Sequence, residues 1–206
     1  GWWPVAMQTR DYREQFYEFS LSGQYELAIS PQLSFFARLG WKNTEPSDTA
    51  AAGYKAYSAG LGVGYGAEGP IENCGDEFGL RWELEYIGRN YESGEKAGGA
   101  NYNDTKIMLG TELSWNPRRQ FCNYLSANLH DVASSDRPLP ISEMVTFGGP
   151  QSLRGYRNDQ FAARRLILIH EEARFFFGPA NFIYPFIDAA YFEWDDVDSG
   201  GKLIED

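Results

Sequence analysis

Two cysteines, Cys74 and Cys122, and two histidines, His130 and His170, are the only thiol and imidazole ligands the chain offers to a metal such as zinc. They form no CxxC pair and no zinc-ligand spacing, so no metal site is expected. A disulfide between the cysteines would need an oxidising compartment and close Cα atoms, which sequence spacing does not establish. No stretch approaches the roughly 18 consecutive apolar residues of a membrane-spanning helix, and this excludes a helical membrane protein. Basic residues are outnumbered, 18 against 29 acidic, for a formal net charge of -11. A phosphate backbone calls for a basic face, so nucleic acid is not expected as a partner. Catalytic signatures are missing as well. No Ser, His and Asp set stands in a recognisable context, and Asp195-Asp196 belong to an acidic stretch. Gly148-Gly149-Pro150 lacks the GxxxxGK[ST] spacing of a phosphate loop. Neither an enzyme nor a cofactor is expected. No charged segment followed by an apolar core opens the chain, so localisation has to be argued from the strand pattern.

What the chain does contain is alternation. Tyr17, Phe19, Leu21, Gly23, Tyr25, Leu27 and Ile29 stand against Glu18, Ser20, Ser22, Gln24 and Glu26. Successive side chains of a strand point to opposite faces, so this segment has one apolar face and one polar face. The pattern returns at Leu33 to Trp41, Tyr57 to Tyr65, Phe78 to Tyr86, Ile107 to Trp115 and Phe121 to Leu129, and Leu166 to Phe177 reads as a further strand. Runs of about ten residues suit a tilted strand crossing a bilayer, whereas globular strands more often stop at about five or six. Trp41, Tyr65, Tyr86 and Trp115 cluster at strand ends, where interfacial aromatic girdles lie.

Connection lengths alternate too. Ser30-Pro31-Gln32, Asn116-Pro117-Arg118 and Gly178-Pro179-Ala180 are short, whereas 43–54 and 88–104 are long and polar. Outer-membrane barrels show this asymmetry between periplasmic turns and extracellular loops, with the connection 67–76 a mid-length exception. Both cysteines then fall near the periplasmic rim. A soluble β-sandwich or lipocalin-like barrel also alternates, with its apolar face inward. Alternation does not say which face is inside. Strand length, the girdle aromatics and the glycine-rich polar face of Gly60, Gly62 and Gly64 favour the transmembrane barrel.

Between 132 and 162 the alternation stops, and so long a connection in a compact fold is usually functional. Phe147-Gly148-Gly149 is followed by Ser152-Leu153-Arg154-Gly155-Tyr156, then by Glu172-Ala173-Arg174 and by Phe186-Ile187-Asp188. In this order and over roughly residues 138–192 the chain resembles one family. It is the barrel superfamily of the outer-membrane assembly factor BamA, the TamA translocation factor, the two-partner secretion transporters and related bacterial surface antigens. Leu153 stands where many members have Val.

The resemblance implies an all-β, antiparallel transmembrane β-barrel in the bacterial outer membrane, with 132–162 as an extracellular loop folded into the lumen. It further implies that Arg154, at the loop tip, pairs with Glu172 and Asp188 on the inner wall, to brace the loop or to gate the barrel. Period two independently puts Glu172 and Arg174 on one face, and a guanidinium fork suits carboxylates where water is limited. Gly148, Gly149 and Gly155 suit a loop that doubles back. His170 reads as a wall residue. Glu171 falls on the lipid-facing side and is expected near the rim, because charge at mid-depth is costly. About eight strands are visible where the family has about sixteen, so residues 1–206 read as a single but incomplete barrel domain. The function implied is insertion or translocation of proteins. Its partners would be outer-membrane lipids, client outer-membrane or secreted proteins, and accessory lipoproteins or periplasmic domains. The alternative is a barrel anchor or pore serving a fused or associated domain such as a lipase.

Overall fold

A computed structural model describes residues 6–11, 16–46, 53–66, 77–91, 101–118, 120–135, 139–177 and 181–194. Seven strands follow one another as a meander: β1 (Ala6–Asp11), β2 (Phe16–Ser30), β3 (Leu33–Pro46), β4 (Tyr54–Gly66), β5 (Glu77–Tyr91), β6 (Asn101–Arg118) and β7 (Phe121–Ser134). A short hairpin, β8 (Val145–Phe147) with β9 (Phe161–Ala163), stands apart as a second sheet. Then β10 (Arg165–Phe176) joins β7, and β11 (Phe182–Ile183) and β12 (Phe186–Glu193) pair with the other side of β10. Every pairing is antiparallel. No helix among the described residues is long and apolar enough to cross a membrane, which says nothing of strands.

Register carries the alternation from strand to strand. Leu21 pairs with Trp41, Trp41 with Tyr57, and Leu109 with both Trp82 and Leu129, so the apolar positions form one continuous face. That face is exposed: Leu39 is 70 % and Leu61 66 % accessible. The opposite face carries the charges and is covered, with Glu83 at 3 %, Arg89 at 1 % and Asp104 at 0 %. The usual arrangement of a water-soluble protein is inverted. Lys42 on β3 and Lys106 on β6 reach the same carboxylate, that of Glu143. Three strand spacings in a flat sheet would separate their backbones by about 14 Å, so the sheet curls toward its polar face.

Pairing runs past the apolar alternation. The connections read at 43–54 and 88–104 are shorter than expected, because β3 continues to Pro46, β5 to Tyr91 and β6 starts at Asn101. Backbone hydrogen bonds are indifferent to side-chain polarity, and the extension is fastened inside by Arg89, whose Nε and Nη2 donate to Asp104 Oδ2 and Oδ1 at 2.6 and 2.8 Å. The strand β1 had no alternation to announce it. The connection read as 132–162 also changes: Val132 is buried within β7, and the segment holds a 3-10 turn at Ile141–Glu143 and the β8–β9 hairpin. Cys122 is buried and disulfide-linked, while Cys74, the other cysteine of the sequence, lies outside the described residues. So do 67–76, 178–180 and Asp195-Asp196.

Candidate functional site: a loop clasped to the polar face

The segment 139–163 folds back over the polar face. Its hairpin is anchored by Phe147 and Ala163, which pack on Leu166 and Leu168 of β10 and on Ala190 and Phe192 of β12. This contact explains why the first half of β10 is apolar on both faces: one side meets the hairpin, and the other belongs to the exposed apolar face.

Between β8 and β9 the chain turns sharply. Gly148 and Gly149 have φ of 118° and 96°, and Gly155 has 91°. A Cβ on Gly148 would come within 2.5 Å of the Arg157 carbonyl oxygen, so both conformation and space require glycine there. Ser152 locks the turn, its Oγ accepting from Gly148 N at 2.7 Å, and Gly149 N donates to the Leu153 carbonyl at 3.1 Å. Leu153 packs against the hairpin cluster, and the Tyr156 ring meets Phe161 edge-on at 5.1 Å.

The turn delivers Arg154 to two strands at once. Its backbone N and Nε donate to Asp188 Oδ2 at 3.0 and 2.7 Å, and Nη2 donates to Oδ1 at 2.5 Å. Nη1 donates to Glu172 Oε1 at 2.5 Å. Arg174 takes the other oxygen of Glu172 through Nε at 2.8 Å, and His170 Nδ1 lies 3.0 Å from Asp188 Oδ1. The Arg154 guanidinium also lies over the Phe186 ring, 3.8 Å from its centre. The hydrogen bonds that Arg154 donates to Asp188 raise its pKa, against partial desolvation, with Glu172 adding to the rise. The structure thus gathers Arg154, Glu172, Asp188 and Arg174 into one cluster, with Gly148, Gly149 and Ser152 shaping the turn behind it.

A second tie, which the sequence did not single out, holds the start of the loop. The Glu143 side chain is fully buried. Tyr54 Oη donates to its Oε1 at 2.6 Å, Lys42 Nζ lies 2.5 Å from the same oxygen, and Lys106 Nζ reaches Oε2 at 3.2 Å. Burial pushes this carboxyl upward, but the Lys42 and Lys106 charges and the hydrogen bonds from Lys42 and Tyr54 outweigh it and hold its pKa at about 2. In sequence Glu143 was one acid among 29, and nothing local linked it to lysines on strands far away. The polar alternation of β3 and β6 placed both lysines on the correct face, and that was the only signal available.

Glu171 departs from expectation. It lies midway along the apolar face of β10, not near its end, beside Leu125 and Ile187. The assembled site is electrostatic and mechanical: a loop held by matched charges at two places on the polar face of the sheet. No protein-family profile matches the chain, and no curated protein matches it.

Proposed function

We propose that the chain forms part of the wall of a transmembrane β-barrel in the bacterial outer membrane, in a protein that inserts or translocates other proteins. The observation that carries this reading is the inverted polarity of the sheet. A continuous exposed apolar face opposite a buried charged face suits hydrocarbon outside and a polar lumen inside. The clasp of Arg154 on Glu172 and Asp188 supports the assembly and translocation superfamily in particular, since a guanidinium fork set on two strands from a returning loop is more than a simple pore requires. Outer-membrane lipids would contact the apolar face, and client outer-membrane or secreted proteins would be the cargo. The mechanism is strand addition: unpaired backbone groups at an edge of the wall template a client strand, while the braced loop keeps the adjoining strands in shape.

The test is Arg154→Ala in the full-length protein, read as heat-modifiable folding and as delivery of a reporter client in proteoliposomes. Delivery should fall at least as far as folding does, and Asp188→Ala should reproduce the loss without adding to it. A variant that delivers the client normally would remove the loop from the mechanism.

A further inference from the structure

The apolar face carries one charge that neither the clasp nor contact with lipid explains. On β10 that face presents Ile167, Ile169, Glu171, Ala173 and Phe175, and Glu171 is midway, about 13 Å along the strand from either end of the run. The other charges on this side of the strand gather at the long-loop end, where Arg165 meets Asp131 at 3.1 Å and Glu193 at 3.3 Å. Glu171 is exposed, and among the described residues it has no ion-pair or hydrogen-bond partner.

The surface around it is also unusual. The residues diagonal to Glu171 on the neighbouring strands include Ala127 and Ala189, both in register with Ile169, and the next outward residue on β10 is Ala173. Leu125 and Ile187 flank the carboxylate directly, and the alanines stand diagonal to it. An ionised carboxylate at mid-depth is unfavourable in hydrocarbon and is retained where it meets a counter-charge.

We infer that this patch of β7, β10 and β12 is a contact surface for a second membrane-embedded protein, which sets a lysine or arginine against Glu171. The inference rests on the membrane-spanning reading above. Lipid amines do not supply the cation, because the apolar band is about 25 Å tall and headgroups stay at its edges. The described strands of a second copy do not supply it either: among the described residues no lysine, arginine or histidine stands in the middle of the apolar face.

The experiment uses the full-length protein in phosphatidylcholine vesicles. The probes are a labelled leucine and alanine transmembrane peptide with one central lysine, and its norleucine counterpart. Protease protection first establishes insertion; a protein that does not insert overturns the membrane reading and this inference with it. With inserted protein, the lysine peptide is expected to bind about tenfold more tightly than the norleucine peptide. Glu171→Gln should abolish the difference, and Glu171→Lys should transfer the preference to a peptide with a central glutamate. The last variant also guards against misfolding, because it retains binding of the opposite sign. Equal binding of both peptides by inserted wild type, or a preference that survives Glu171→Gln, overturns the contact surface while leaving the barrel reading intact.

Discussion

Arg154 satisfies two carboxylates on neighbouring strands because its donors are planar and fixed in direction. Lysine carries the same charge as a single point and cannot hold both Asp188 oxygens and Glu172 together. Arg154→Ala leaves Asp188 without its guanidinium partner and Glu172 with Arg174 alone, and should cost roughly 3–5 kcal/mol of unfolding free energy in detergent. Asp188→Ala on top of it should add little, since both changes break one network. Arg154→Lys should recover only a minor part. The glycines divide by geometry. Gly148→Ala meets both a φ of 118° and the Arg157 carbonyl at 2.5 Å, and is expected to cost about 1–3 kcal/mol. At Gly155 a Cβ meets open space, so Gly155→Ala carries conformational strain alone and should destabilise less in the same denaturation series. At this scale the motif residues were legible because they are contiguous or lie two apart on one strand. Glu143 was not, since its partners Lys42, Tyr54 and Lys106 come from three different strands.

The loop is an element tied at two places, and acid tests the first of them. Glu143 has a folded pKa of about 2, below its ordinary value of 4.5. A depressed carboxyl stabilises the folded form in full above the unfolded value and loses that contribution as pH falls toward the folded one. The first tie should therefore hold above pH 4.5 and release as pH falls toward about 2. A nitroxide attached through Met144→Cys should gain mobility across that window, whereas with Glu143→Gln it should be mobile at neutral pH and show no acid step of this origin. The groups facing the carboxylate are Lys42, Lys106 and Tyr54, with Glu18 3.8 Å from Lys42 as the nearest competing acid. The β8–β9 hairpin within the loop was hidden because each strand has three residues, too few for a period to register. The apolar run Leu166-Ile167-Leu168-Ile169 in β10 was its trace. One apolar side of that run belongs to the exposed apolar face, and the hairpin covers the other.

On the scale of the molecule, the exposed apolar face sets the most direct test of the membrane reading. Leu61→Lys places a charge on that face and should destabilise a bilayer-inserted protein by about 2–4 kcal/mol if the position lies at mid-depth, with a smaller effect near the strand ends. Unfolding from vesicles measures the difference. A water-soluble protein with this face covered by protein would instead show cavity or packing losses unrelated to depth. Sequence alone determined where the long strands run, that most of them have one apolar and one polar side, and that the connection between β2 and β3 is tight. Those are properties of period two and of local turn chemistry, and no distant contact can alter them. Tertiary structure decided which side is exposed, how far β3, β5 and β6 extend beyond their apolar stretches, and that Glu143 joins lysines from β3 and β6. It also decided that Glu171 lies midway along its strand. These follow from the curl and register of the whole sheet, which bring together residues that no local pattern connects.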